Sequence, residues 1–202
     1  MYNIPCMKNT EVEMRALIND ASANKIIEQN IISLGAKQLG VSSIHDIYFC
    51  EKNMKSLDEV EMNDIGSYSL RLRKKTKDGI IESSINTKII LSKGDHFGWE
   101  EHETEIQDFD EMRSILTAIG FKVFFELEKD RTVFEYHENI EINLENIANF
   151  GTGIEIEIMC SKDEIQESKE KILKLLEKIG VKKEMLVEKS ITNIIMKERA
   201  KF

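Results

Sequence analysis

Residues 9–18 read Asn9-Thr10-Glu11-Val12-Glu13-Met14-Arg15-Ala16-Leu17-Ile18, with the charges spaced two apart. Side chains two apart on an extended strand point to the same face. Glu11, Glu13 and Arg15 therefore share one side and Val12, Met14 and Ala16 the other, which makes this a strand with one ionic and one apolar face. The device recurs along the chain. Arg71 and Arg73 alternate with Leu70 and Leu72, and Glu155 and Glu157 with Ile154, Ile156 and Ile158. Glu101, Glu103 and Glu105 keep the same spacing, as do Lys129 and Arg131, and Lys88 stands alone on a further strand candidate. Each strand by itself fits a sheet with its polar side in water. Taken together, the signs are segregated strand by strand and arginine dominates the basic pairs. If a sheet of about eight antiparallel strands curls into a barrel, apolar face outward under helices, the ionic face becomes the lining of a tunnel.

Working outward, period-two alternation predicts strands over 9–18, 43–50, 68–74, 80–91, 99–106, 121–127, 131–136 and 154–160, with Asp78-Gly79 as a hairpin turn. Helical spacing predicts a helix from Ala23, capped by Asp20 or Ser22 and ended by Gly35 or Gly40. A second opens at Asp108 and closes at Gly120, a third runs over 162–179, and a last helical piece over 183–197. The only proline is Pro5 and no low-complexity stretch divides the chain, so residues 1–202 read as one domain. The expected class is α+β, an antiparallel eight-stranded barrel with flanking helices.

Composition narrows the function. A chain of 202 residues with 41% hydrophobic and 32% charged residues can bury a core and is not disordered. No run of apolar residues is long enough to span a membrane, and the opening residues lack the n- and h-regions of an export signal, so a cytoplasmic location is expected. A net charge of −9 from 28 basic and 37 acidic residues argues against nucleic acid as a partner. Cys6, Cys50 and Cys160 form no C-x-x-C pair, and His45, His96, His102 and His137 are isolated, so thiolate or histidine metal sites and nucleophilic triads lack support. The stretch from Gly35 to Ser42 has the glycine spacing of a phosphate loop, but Val41 stands where lysine is needed and the stretch follows a helix.

The ionic constellation does carry chemistry. Arg15, Arg71, Arg73, Lys88, Lys129 and Arg131 in one cavity would repel one another unless a polyanion lay among them, and arginine suits bidentate contact with phosphate oxygens. Carboxylates at i and i+2, from the first strand and a late one, make an oxygen-rich site for Mg²⁺ or Mn²⁺. Polyphosphate with a divalent cation satisfies both halves.

The sequence resembles the CYTH, or triphosphate tunnel metalloenzyme, family, which includes class IV adenylate cyclases, thiamine triphosphatases and inorganic tripolyphosphatases. Glu11-Val-Glu-Met-Arg15 is similar to its E-x-E-x-K strand, His45-Asp-Ile-Tyr-Phe49 to its D-x-Y-F strand, and Leu70-Arg-Leu-Arg73 to its paired-arginine strand. Lys88 matches a lone lysine, Glu103-Thr-Glu105 an acidic strand, and Gly120-Phe121 with Lys129-Asp-Arg131 a G-F turn and K-x-R strand. Residues 144–157 resemble the loop that leads into the family's E-I-E strand, and the order is kept over 11–195. Arg15 departs from the family's lysine, Glu145 from its usual aspartate, Gly153 from a common aromatic, and Ser190-Ile191 lacks a tyrosine.

The resemblance implies that Arg15, Arg71, Arg73, Lys88, Lys129 and Arg131 grip phosphates. It also implies that Glu11, Glu13, Glu155 and Glu157 hold metal, with Glu103 and Glu105 as supporting or additional ligands. Glu11, Glu13 and Arg15 would then be the catalytic strand. The expected substrate is a small-molecule triphosphate. The expected reaction is that of a class IV adenylate cyclase, with a triphosphate phosphohydrolase (on thiamine triphosphate, tripolyphosphate or a nucleoside triphosphate) or a non-catalytic polyphosphate- or nucleotide-binding module as alternatives. The outer face of the helix over 162–179, or the final helical piece, is available for a homodimer contact.

Overall fold

The structure is a computed structural model that describes residues 10–18, 20–60, 64–90, 99–137 and 139–202; Pro5, Cys6 and His96 lie outside them. In chain order its elements are β1 (Thr10–Ile18), α1 (Ala21–Ser33), β2 (Lys37–Glu51), α2 (Leu57–Val60), β3 (Tyr68–Lys77), β4 (Ile80–Ile90) and β5 (Trp99–Glu105). There follow α3 (Phe109–Ala118), β6 (Phe121–Tyr136), β7 (Ile140–Ile147), β8 (Gly151–Cys160), α4 (Ile165–Lys178), β9 (Leu186–Val187) and α5 (Ile191–Arg199). The strands hydrogen-bond in the order β5-β4-β3-β2-β6-β7-β8-β1-β9, and every pairing with a described register is antiparallel. The α+β class with a large antiparallel sheet is as expected. Among the described residues β5 and β9 are the end strands of the order, so it contains no hydrogen-bonded closure.

Three local differences from the alternation-based expectation have physical causes. The segment 121–136 is one strand rather than two, because Lys129 and Asp130 continue the alternation instead of breaking it. Ile140–Ile147 is a strand, not a loop: Ile140, Ile142 and Leu144 keep the period of two and are buried. The final segment is a short 3₁₀ turn at Lys183–Met185, the two-residue β9 and then α5, rather than one helix from 183. Elsewhere the local signals act as read. Asp20 accepts from the Ser22 amide at 2.8 Å and Asp108 from the Glu111 amide at 2.9 Å, capping α1 and α3. Gly35 follows α1 at φ +85°, a conformation costly for any residue with a Cβ.

Chain contacts divide the molecule into two compact units. One comprises the segment up to Val41 with Asp130–Ile191, the other Ser42–Lys129 with Thr192–Phe202. In the first, Val12, Ala16 and Ile18 of β1, Ile142 and Leu144 of β7 and Ile154, Ile156 and Ile158 of β8 form one buried face. Ile27 and Ile31 of α1 and Ile172, Leu175 and Leu176 of α4 cover it. Each fully buried aliphatic side chain contributes about 1.5–3 kcal/mol. In the second, Ile47, Phe49 and Leu72 pack against Phe109 and Leu116 of α3. In both units helices take the apolar face of the strands and leave the ionic face to other partners. No described helix is long and apolar enough to cross a membrane.

Candidate functional site

Strand register assembles the ionic residues of the first unit. Pairing of β1 with β8 sets Glu13 opposite Glu157 and Arg15 opposite Glu155, and pairing of β7 with β8 sets Asn143 opposite Glu155 and Glu141 opposite Glu157. Directly opposed residues share a face. One oxygen from each of Glu13, Glu155 and Glu157 comes within 4.8 Å of the other two. Three carboxylates so close would repel, and arginines hold them. Arg15 donates from Nε to Glu155 and from Nη2 to Glu13. Arg131 donates from Nε to Glu145 at 2.7 Å, and its Nη2 lies 3.9 Å from Glu155. The side chains of Arg15 and Glu155 are each 17% exposed, so solvent screens the pair less than a surface ion pair. Glu11 lies in β1 opposite Met159, while its side chain is outside the described part.

These residues fit a hard divalent cation. Such an ion takes carboxylate oxygens at about 2.0–2.1 Å from Mg²⁺ and leaves other positions to phosphate and water, so its ligand atoms lie about 3–4 Å apart. The three-glutamate cluster has that donor chemistry and about that spread. Two departures from the family pattern also find their explanation. Glu145 takes the place of aspartate and still binds Arg131. A Cβ at Gly153 would lie 2.4 Å from Cδ1 of Ile191, so Ile191 fills the room that an aromatic at 153 would need.

In the second unit the register lines up two rows across four strands. One runs Tyr48, Arg71, Asn86, Glu103 and the other Asp46, Arg73, Ser84, Glu105. Asp46, 1% exposed, accepts from Arg73 Nε at 2.7 Å and Nη2 at 2.8 Å. Burial pushes the Asp46 carboxyl up, but the Arg73 hydrogen bonds and the charges of Arg73, Arg71 and Lys129 outweigh it and hold it below its ordinary value. Burial and the Asp46 charge raise the Tyr48 hydroxyl, with Arg71 and Arg73 opposing. Nε of Arg71 is buried and has no hydrogen-bond partner among the described residues. Lys129 is 8% exposed. Lys88 sits opposite Ser69 and Glu101 and is half-buried. Glu103 and Glu105 are exposed, and Glu103 accepts the Ser84 hydroxyl at 2.7 Å.

Of the residues singled out by sequence, Glu13, Arg15, Arg131, Glu155 and Glu157 thus come together in the first unit. Arg71, Arg73 and Lys129 gather around Asp46 in the second, with Lys88, Glu103 and Glu105 on neighbouring strands. Asp46 and Tyr48 were missed as site residues although their spacing of two places them on one face, the signal that would have found them. Asn143 gave no signal, since an asparagine in a strand has many roles. The second unit also holds a cavity of about 300 Å³, lined largely by apolar and aromatic groups including Tyr48, Phe49, Tyr68, Leu70, Phe124 and Met196. Tyr48 joins the cavity wall to the arginines, because it stands directly opposite Arg71 in the β2–β3 pairing.

Comparison with known proteins adds to this geometry. The family model described as the CYTH domain matches residues 9–191. A Methanocaldococcus jannaschii protein whose name proposes an adenylate cyclase is 28% identical over 186 residues, which is 89% of this chain and 95% of the relative. The structure of the PH1819 protein from Pyrococcus horikoshii superposes with a TM-score of 0.74 at 25% identity, covering 94% of this chain and 99% of its own. A Hippeastrum protein, described as an adenylyl cyclase candidate with a dominant triphosphatase activity, matches with a TM-score of 0.67 over 95% of this chain and 96% of its own. At 16% identity that likeness concerns the fold.

Proposed function

The chain belongs to the CYTH family, and from that premise we propose that it is a divalent-metal-dependent enzyme acting on a small-molecule triphosphate, with class IV adenylate cyclase chemistry as the leading reaction. One observation carries the substrate class. Arg71, Arg73 and Lys129 each bring positive charge to bear on the Asp46 carboxylate, and Nε of Arg71 is buried with no hydrogen-bond partner among the described residues. Converging cations with a guanidinium donor that no described residue takes up, in a chain of charge −9, suit a multiply charged anion.

In this reading Arg71, Arg73, Lys88 and Lys129 bind phosphate oxygens, and Arg15 and Arg131 add charge beside the glutamates. Glu13, Glu155 and Glu157 would hold Mg²⁺ or Mn²⁺, with Glu11 on the same strand face and Glu103 and Glu105 as further candidate ligands. Such an ion, when bound, supplies neutralisation of phosphate charge and alignment of the attacking oxygen with the leaving group. Arg15 donates to both Glu13 and Glu155 and so organises these two carboxylates. The cavity supports an organic triphosphate over tripolyphosphate, since its volume falls at the lower end of small-molecule sites, about 300–1,000 Å³. In the cyclase reaction the ribose 3′-oxygen bonds to the α-phosphorus as the bond to the bridging oxygen breaks, giving cyclic AMP and pyrophosphate. A cytoplasmic location suits a nucleotide substrate.

The second reading, a triphosphate phosphohydrolase, is favoured by the activity described for the Hippeastrum protein of the same fold. ATP, thiamine triphosphate and tripolyphosphate offered with Mg²⁺ or Mn²⁺, with products separated, decide between them. Cyclic AMP with pyrophosphate is expected from ATP. Release of orthophosphate alone replaces the cyclase with the hydrolase, and binding without turnover leaves a nucleotide-binding module. Arg71→Ala is expected to weaken triphosphate binding by about 1.5–3 kcal/mol for each charged hydrogen bond lost, read by titration calorimetry.

A further inference from the structure

On the ionic face of the first unit, one residue carries no charge and is nevertheless its most deeply buried member: Asn143 of β7, 0% exposed. Its amide nitrogen donates to Glu141 Oε1 at 2.9 Å and to Glu157 Oε1 at 3.3 Å. Two carboxylates accepting from the same end of the amide fix which end is nitrogen and which is oxygen. Oδ1 is left buried with no hydrogen-bond partner among the described residues. A buried acceptor without a donor is costly, and native structures keep few of them, commonly where an ion or water is met. Asn143 also lies directly opposite Glu155, so it is bonded to one member of the three-glutamate cluster and paired with another.

We infer that Asn143 is a fourth oxygen donor of the divalent cation site: its amide nitrogen holds Glu157 in place and its Oδ1 binds the ion. The inference rests on the cation reading of the glutamate cluster given above. Chemistry explains why an amide serves here. Hard cations accept carbonyl oxygens of asparagine beside carboxylates. A neutral oxygen enlarges the donor set without adding a fourth negative charge to a cluster that already depends on Arg15 and Arg131. The hydrogen bond from Nδ2 to Glu157 also sets the rotation of that carboxylate, and loss of such a partner lowers metal affinity by about 10–100-fold.

The test uses the full chain and Mn²⁺ alone, with no triphosphate. Free Mn²⁺ is counted by electron paramagnetic resonance, and water on the bound ion by proton relaxation, for the wild type, Asn143→Leu, Asn143→Ser and Glu13→Gln. The expected result is at least tenfold weaker Mn²⁺ binding in both Asn143 variants, with one additional exchangeable water on the bound ion. Asn143→Ser decides the matter if the leucine variant fails to fold. Weak binding in Glu13→Gln together with near wild-type affinity in the Asn143 variants overturns the inference and leaves the cation site standing. Lower affinity with unchanged hydration also overturns Oδ1 as a donor. Unchanged binding in all three variants removes the cation site itself.

Discussion

Asp46 shows how one side chain can serve both stability and recognition. Two hydrogen bonds from Arg73 hold a nearly inaccessible carboxylate in its charged form, and its acidity is raised as a result. A carboxyl whose folded pKa is depressed contributes stability that is present above its unfolded value, about 3.9, and is lost as pH falls through the folded value. Asp46→Asn leaves the guanidinium of Arg73 without its anion, which should cost about 3–5 kcal/mol near neutral pH. The gap between wild type and variant should shrink as the pH drops below about 4, because protonated Asp46 then resembles the amide. Urea unfolding across that pH range measures it, and a gap independent of pH would show that the charge of Asp46 is not what stabilises the fold.

Among the elements, β8 brings both faces of the design together. Its even positions Ile154, Ile156 and Ile158 enter the core, while Glu155 and Glu157 join the carboxylate cluster. Gly153, one step before, is packed by Ile191, so the glycine and the isoleucine form a size-matched pair. Gly153→Ala should destabilise by about 1–3 kcal/mol through overpacking. Most of that penalty should vanish in the Ile191→Val background, where the clashing methyl is gone. A double-mutant cycle by chemical denaturation reads the coupling, and additive effects would mean that the two side chains do not compete for this space. The alternation within β1, β3 and β8 was readable because each has an unbroken period of two. β7 carries the same alternation in Ile140, Ile142 and Leu144; what its sequence leaves unmarked is that Asn143 and Glu145 are as buried as its isoleucines.

For the whole molecule, cation binding and folding are linked. The glutamate cluster exists only when β1 and β8 are paired, so a divalent ion binds the folded chain in preference to the unfolded one. Linkage then stabilises by about 2.7 kcal/mol when the free ion is at 100 times its dissociation constant. Thermal melting should move upward with saturating Mn²⁺ or Mg²⁺ and return on chelation, and Glu13→Gln should abolish the shift. A wild-type melting curve indifferent to both ions would count against the cluster as a metal site. The net charge of −9 does not oppose cation binding, and Arg15 and Arg131 temper the repulsion among the clustered glutamates.

The amino-acid sequence by itself determined the α+β class, the antiparallel strands with one ionic and one apolar face, the hairpin at Asp78-Gly79 and the identity of most charged residues in the two clusters. These are consequences of local periodicity and backbone preference, which act over a few residues and are written into them. Only the tertiary structure decided that Arg15 bridges Glu13 and Glu155, that Asp46 is the anion against which Arg71, Arg73 and Lys129 are set, that Ile191 occupies the space above Gly153, and that the Asn143 oxygen meets no hydrogen-bond donor among the described residues. Each joins strands or segments separated along the chain. Which side chains then meet depends on register and burial, and both are set by the packing of the folded molecule as a whole.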